Sequence, residues 1–374
     1  MISEVKKLTV TYNGRTVGYL AQIDDEGVFG FQYNDIWLKD GFSISPFSLP
    51  LRHEVFLAKS KHFERLHGVF WDSLPDGWGE LLVKRYLGRQ GVNYERLSPL
   101  TKLSLVSQSG LGGLRYEPSQ FESGSSQTTD FDRIAEEINS VLRDETTNLD
   151  EVYRLGGSSG GARPKAHILV NGEEWIVKFP CRIDPPNIGE MEYNANVTAA
   201  LCGIDVNEFC LFPSQRCSGY FGAKRFDRKG GRRIHVISLA ALLETTHRTP
   251  NLDYGHLFRV VESVCAGKSE MYETFRRMCF NVYYGNKDDH SKNFAFLFDE
   301  EKGTYRLSPA YDLTRTPDKF EHEMTVNGAG NPKDDDLLAL AKEFRLSIAK
   351  CKDIMEKIKQ FCLMKQKNGE VDHR

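Results

Sequence analysis

Apolar and polar residues alternate with a period of two over residues 8–20, broken at Asn13-Gly14. That pair favours a two-residue hairpin turn, so the chain is expected to open with two antiparallel strands. Phe29, Phe31 and Tyr33 continue the alternation. From Phe42 to Leu51 the pattern is lost, and Pro46 and Pro50 disfavour helix and central strand alike. Residues 69–87 pass through Trp71, Pro75 and Gly77 into a helical run through Leu82 and Tyr86. Asp72 and Asp76 in this stretch fit turn and cap positions better than acid–base roles.

Gly110 to Gly113 and Ser123 to Thr129 have no apolar period and read as loop and linker, which places a domain boundary near residue 120. Phe131, Ile134, Ile138 and Val141 then share one helical face. A glycine-rich stretch, Arg154 to Lys165, leads into two strands, Ala166 to Val170 and Trp175 to Phe179. Met191, Asn194, Ala195, Thr198 and Leu201 mark a following helix, with Glu192 expected in its first turn. A strand from Tyr220 to Phe226 ends in a basic, glycine-containing turn. Beyond residue 236 the pattern predicts helix almost throughout. Met271, Phe275, Met278, Cys279 and Val282 define one helix, with Gly285 at its C-cap. The last helices are expected over 334–345, opened by Asp334, Asp335 and Asp336, and over 347–362. The exception is a hairpin, Phe294 to Phe298 and Thr304 to Leu307, around the charged turn Asp299 to Gly303. The class is α+β.

Composition narrows the setting. A length of 374 residues suggests two or three domains, and 40% hydrophobic with 27% charged residues is ordinary for a globular protein. A net charge of −3 argues against a strong sequence-independent grip on nucleic acid. No apolar run approaches the roughly 20 residues of a membrane span, and residues 1–7 lack the apolar core of a signal peptide. The eight cysteines all lie from Cys181 onward without a C-x-x-C pair. Reduced thiols in a cytoplasmic protein are expected rather than disulfides or zinc.

The candidate chemistry sits between the long helix and the end of the hairpin. Asn286-Lys287-Asp288-Asp289-His290-Ser291-Lys292-Asn293 precedes the first strand, and Pro309-Ala310-Tyr311-Asp312 follows the second. Helix, aspartate, asparagine five residues on, hairpin, second aspartate is the order of parts in a kinase-like phosphotransferase. Phosphoryl transfer needs one carboxylate to orient or deprotonate the attacking hydroxyl, and oxygen ligands to hold Mg²⁺ against the phosphates. Two or three side chains suffice because Mg²⁺ keeps several waters. The spacing assigns Asp288 as base, Asn293 and Asp312 as metal ligands and Lys292 as a phosphate contact. Read alone, the same cluster also fits a solvated surface turn, and His290 a hydrogen-bonded loop residue.

Upstream features fit this order. Four glycines in six positions, Gly156, Gly157, Gly160 and Gly161, let the backbone approach phosphate oxygens, or simply connect elements flexibly. Lys178 lies in an apolar strand and needs a charged partner: phosphates and Glu192, or solvent reached by snorkelling. Lys224 and Phe226 fall where a hinge would offer its backbone to an adenine edge; the alternative reading of Arg225, Arg228, Arg232 and Arg233 is a plain solvated turn.

Together these residues resemble the HipA-like serine/threonine kinase toxins of bacterial toxin–antitoxin modules. The resemblance rests on Gly161-Ala162-Arg163-Pro164-Lys165, Lys178-Phe179-Pro180, Lys224 to Arg228, Asp288 to Phe294 and Pro309 to Asp312, with Ser48 to Leu51 and Leu74 to Asp76 matching the family's N-terminal subdomain. It implies a protein-kinase-like bilobal fold: an N-terminal α+β subdomain over 1–120, a β-rich N-lobe over 121–228 and a helical C-lobe over 229–374. It also implies binding of ATP with Mg²⁺, with Gly160, Gly161, Ala162, Lys165, Lys178, Glu192, Lys224, Phe226, His290, Lys292 and Tyr311 around the nucleotide. Family members phosphorylate a protein serine, in several cases in an aminoacyl-tRNA synthetase. They also phosphorylate a serine of their own glycine-rich loop, here Ser158 or Ser159. The implied partner is a helix-turn-helix antitoxin, with DNA reached only through it and no membrane.

Two other expectations remain. A kinase-fold module could hold nucleotide or an antitoxin–DNA complex with little turnover, although Lys178, Asp288, Asn293 and Asp312 are all present. A related kinase could act on a small molecule.

Overall fold

The computed structural model describes residues 2–24, 27–106, 110–121, 129–145, 149–157 and 159–371, with backbone alone for 364–371. The chain divides into two compact units. One comprises Met1–Glu190, Glu208–Ile237 and Ala241–Thr245; the other comprises Met191–Asn207, Ser238–Ala240 and Thr246–Arg374.

The first unit holds two antiparallel sheets. Its first three strands are those the alternation predicts: β1 (Lys7–Tyr12), β2 (Arg15–Gln22) and β3 (Phe29–Tyr33). Asn13 and Gly14 take the left-handed conformation, with φ of 47° and 79°, as a primed turn requires. With β4 (Phe56–Leu57) and β5 (Leu114–Glu117) they form a sheet of order β4-β3-β2-β1-β5. Strand β5 falls between the two stretches read as loop and linker, where the pattern predicted no element. It alternates buried Leu114 and Tyr116 with exposed neighbours, but over four residues after Gly112-Gly113 that signal is too short to read.

The second sheet has the order β6-β7-β9-β8, from β6 (Lys165–Val170), β7 (Glu173–Lys178), β8 (Phe209–Phe212) and β9 (Tyr220–Lys224). Helices Gly77–Arg89, Phe131–Leu142 and Leu149–Gly156 share one core with it, built on Trp78, Leu82, Ile134, Ile138, Val152, Ile168, Val177 and Phe179. Trp78 donates its indole N–H to the Lys165 carbonyl at 3.1 Å, fixing the helix against the start of β6. Helix Leu149–Gly156 runs into the glycine-rich segment, so only Gly157 to Pro164 connects it to β6.

The second unit is mostly helical. Helix Tyr254–Val264 begins with a capping box between Asp253 and His256. Helix Lys268–Tyr284 buries Met271, Phe275, Met278 and Cys279, and Gly285 ends it at φ 80° with its N–H on the Asn281 carbonyl. The hairpin follows as Ala295–Asp299 and Thr304–Leu307, with Phe296 opposite Leu307 and Asp299 opposite Thr304. The Asp299 carboxylate accepts from the N–H groups of Glu301 and Lys302 at 3.1 Å, which closes the turn. Helices Asp334–Glu343 and Ile348–Val371 complete the unit.

Two expectations need correction. Helix Ile188–Leu201 starts earlier than its apolar spacing suggests, because Pro185 and Pro186 precede it and helix can begin soon after; Glu190 occupies the first turn and Glu192 the second. Residues beyond 236 are less helical than expected. Leu252–Asp253 pairs in parallel with Met324–Thr325, and 308–323 is irregular, held by isolated backbone bonds and by side chains rather than by a continuous ladder.

Candidate active site

The loop after Gly285 is built on buried polar contacts. Asn281, in the last turn of its helix, donates to the Tyr254 hydroxyl at 2.9 Å and accepts from Asn286 Nδ2 at 3.0 Å. Asp289 is 1% exposed, and its carboxylate takes three bonds: from the Tyr254 hydroxyl at 2.7 Å, His322 Nδ1 at 2.9 Å and the Glu323 N–H at 3.0 Å. A buried charge is tolerated only when so satisfied. Asp289 anchors the loop, and its side chain is spent in doing so.

Its neighbour Asp288 faces the other way, with a side chain 38% exposed. Lys319 donates to Asp288 Oδ1 at 2.6 Å and to Glu323 Oε1 at 2.5 Å. Asn293 closes the loop by donating Nδ2 to the Asp288 carbonyl at 2.7 Å, which leaves its Oδ1 as the atom able to meet a cation. His290 caps the short turn Ser291–Asn293, its Nδ1 accepting from the Lys292 N–H at 3.2 Å, which is the loop role its position allows.

Asp312 reaches the same neighbourhood through the segment before it. Ala310 donates its N–H to the Asp205 carbonyl at 2.7 Å, and Tyr311 donates its hydroxyl to the Lys292 carbonyl at 2.6 Å. The bonded residues stand one position before Asn293 and Asp312. Asp312 itself is half-buried in a left-handed conformation, φ 53°, which aspartate tolerates better than most residues. Arg277 holds the hairpin's exit by donating to the Ser308 carbonyl at 2.7 Å. Its other partner, Glu273, would be raised in pKa by burial, but Arg277 outweighs that and lowers it.

An amide oxygen and a carboxylate fit Mg²⁺, which takes few protein ligands beside waters and phosphate oxygens. Among the described residues no three His, Cys, Asp or Glu side chains cluster as a metal cage.

In the first unit the glycine-rich segment is clamped to helix Gly77–Arg89. Asp76 stands at the N-cap but makes no cap bond to its own helix; its carboxylate instead accepts the Gly161 N–H. Trp78 donates its N–H to the Gly161 carbonyl at 3.0 Å, and Lys165 donates Nζ to the Gly160 carbonyl at 2.6 Å. Gly160, Gly161 and Ala162 are exposed, with Gly161 at φ 83°. Ser159 is buried, its hydroxyl on the Gly156 carbonyl at 2.5 Å. Ser158 lies outside the described residues. Lys178 ends β7 opposite Lys165, half-buried, with Nζ 5.7 Å from the centre of the Phe221 ring. Glu192 is buried on its helix in the other unit.

The basic turn after β9 is a buried ion network, so the solvated-turn reading fails for Arg225 and Arg228. Arg225 bonds both oxygens of Asp227, at 2.9 and 2.7 Å, and the Gly110 carbonyl at 2.9 Å. Arg228 adds a contact to Asp227 at 2.8 Å, and the Gly112 N–H donates to the same carboxylate at 2.7 Å. Burial would raise the Asp227 pKa, but Arg225 and then Arg228 hold it far below the usual carboxylate range. This network latches residues 110–112 to the end of β9. Lys224 is half-buried between Glu173 and Glu208, and Phe226 is half-buried beside the network.

Asp289, His322, Lys319 and the Asp76–Gly161 bond carry no signal in the sequence. Their partners are separated by 31 to 85 residues, and no periodicity spans such distances.

This fold, with an aspartate loop, a hairpin and a second aspartate in one helical unit, is kinase-like. Residues 8–117 match the HipA N-terminal domain and residues 157–364 the HipA-like C-terminal domain. The chain belongs to the HipA-like family of kinase toxins. Two Sinorhizobium fredii proteins whose names propose kinases, Y4dM and Y4mE, are each 26% identical to it. The first matches over 95% of this chain and 88% of its own length, the second over 83% and 78%. The fold is shared with Shewanella oneidensis HipA, solved with HipB and operator DNA, at a TM-score of 0.73, 18% identity and coverage of 95% of this chain and 88% of that one. Among the described residues no helix is long and apolar enough to cross a membrane.

Proposed function

We propose that this kinase is an ATP- and Mg²⁺-dependent serine/threonine protein kinase, the toxin of a toxin–antitoxin module. Asp288 is the base that accepts the proton of the attacking hydroxyl. Asn293 and Asp312 hold Mg²⁺, which neutralises phosphate charge when bound. Gly160, Gly161 and Ala162 turn backbone N–H groups to the phosphates; Lys165, Lys178 with Glu192, His290, Lys292 and Tyr311 complete their surroundings. Backbone groups of Lys224 and Phe226 meet the adenine edge. The parts divide as 1–120, 121–228 and 229–374.

The observation that carries this reading is the Tyr311–Lys292 hydrogen bond, which joins the segments bearing Asn293 and Asp312. The protein substrate belongs to translation, an aminoacyl-tRNA synthetase by analogy with the family. A helix-turn-helix antitoxin is the expected partner, in keeping with the HipB and operator DNA bound by the Shewanella protein. Autophosphorylation falls on Ser158 or Ser159. Ser159 reacts only after the loop leaves helix Gly77–Arg89, because its hydroxyl is buried.

The test is phosphosite mapping after brief induction in cells, comparing wild type with Asp288→Asn. New phosphoserines in a translation protein that vanish with Asp288→Asn support the reading. Nucleotide binding without transfer would leave a binding module, and phosphorylated metabolites without phosphoproteins a small-molecule kinase.

A further inference from the structure

The irregular segment 316–323 crosses the aspartate loop and is gripped by three consecutive residues of it. Lys287 donates its N–H to Thr316 Oγ1 at 2.7 Å and its Nζ to the carbonyls of Lys319 at 3.1 Å and Phe320 at 2.9 Å, and its own carbonyl accepts the Glu323 N–H at 3.2 Å. Asp289 takes His322 Nδ1 and the Glu323 N–H. Between these two grips, Asp288 meets the Lys319 ammonium. The backbone on either side of Lys319 is therefore fixed by the residues on either side of Asp288.

An exposed ion pair adds little to stability. This one joins side chains 34% and 38% exposed, yet its lysine is clamped between two carboxylates on a latched backbone. Burial pulls the Lys319 pKa down, but Asp288 and Glu323 overcome that and raise it, so the ammonium stays charged. Among the described residues Lys319 is the side chain that holds the Asp288 carboxylate.

We propose that Lys319 is a positioning residue for phosphoryl transfer, holding Asp288 Oδ1 so that Oδ2 is aimed at the substrate hydroxyl. This rests on the kinase reading above. In the step it serves, the hydroxyl oxygen forms a bond to the γ-phosphorus and its proton passes to Asp288 Oδ2. The bond from the γ-phosphorus to the β,γ-bridging oxygen breaks, and ADP leaves. Glu323 holds the other side of the ammonium and keeps it from following the proton. Asp289 contributes only through the backbone it anchors.

The test uses the full-length protein with Mg²⁺-ATP, measuring transfer to itself and to heat-treated lysate protein across ATP concentrations. Wild type, Asp288→Asn, Lys319→Met and Lys319→Arg are compared, with thermal unfolding of each. Lys319→Met should lower the rate at saturating ATP roughly ten- to hundredfold, the scale of a misplaced catalytic group, and leave half-saturating ATP within about twofold. Lys319→Arg should recover most of the loss. If wild type transfers, Asp288→Asn does not, and Lys319→Met matches wild type, the proposal is overturned while the kinase reading stands. Equal losses in Met and Arg variants, or a raised half-saturating ATP with a lower unfolding temperature, reduce Lys319 to a structural residue and also overturn it. An inactive wild type removes both.

Discussion

Tyr311 donates its hydroxyl to the carbonyl of Lys292 at 2.6 Å, tying the segment before Asp312 to the turn that carries Asn293. One neutral hydrogen bond contributes about 1 kcal/mol, and its loss here acts on placement rather than on the fold. Tyr311→Phe should leave the unfolding transition nearly unchanged. Phosphoryl transfer should fall about fivefold and half-saturating Mg²⁺ should rise, which a metal titration of the transfer rate would measure.

The adjacent aspartates should respond oppositely to substitution. Asp289→Ala leaves the Tyr254 hydroxyl and His322 without their buried acceptor, and such losses cost about 3 kcal/mol. Urea denaturation followed by circular dichroism should register that loss. Asp288→Asn, at a partly exposed position, should shift stability by no more than about 1 kcal/mol while abolishing transfer. Equal destabilisation by both would contradict the division of labour between them.

Asp227 makes the acid side of the stability curve informative. Its folded pKa lies well below the unfolded value near 3.9, so the folded state binds its proton less readily. The stability it contributes is complete above that value and drains as pH falls below it. Asp227→Asn should lower stability at neutral pH and flatten the dependence below about pH 4. A variant curve parallel to that of wild type in this range would rule out Asp227 as the source.

The clamp on the glycine-rich segment predicts a steric effect. A Cβ on Gly79 would lie 2.2 Å from the Ser159 carbonyl oxygen, a backbone atom that cannot turn aside. Gly79→Ala should cost about 1–3 kcal/mol, as overpacking does, and expose residues 157–163 to protease. Unchanged cleavage in a limited-proteolysis time course would show that the segment does not depend on this contact.

Periodicity and turn chemistry settle what depends on near neighbours along the chain. The Asn13-Gly14 hairpin, the Gly285 C-cap, the helix on Phe131 and Ile134, and the Asp299 turn are each fixed by residues a few positions apart. The D-x-x-x-x-N spacing and the hairpin behind it were legible for the same reason. Strand β5 was not, because four residues carry too little alternation and its pairing with β1 is made a hundred positions away. Nor could sequence divide Asp288 from Asp289: identical side chains, side by side, differ only in what the folded chain brings to them. Tyr254, Lys319 and His322 reach the loop from 31 to 35 positions away. Burial of one carboxylate and exposure of the other are products of that long-range packing, so the chain alone named the candidate acids and the tertiary structure chose which of them stays available for chemistry.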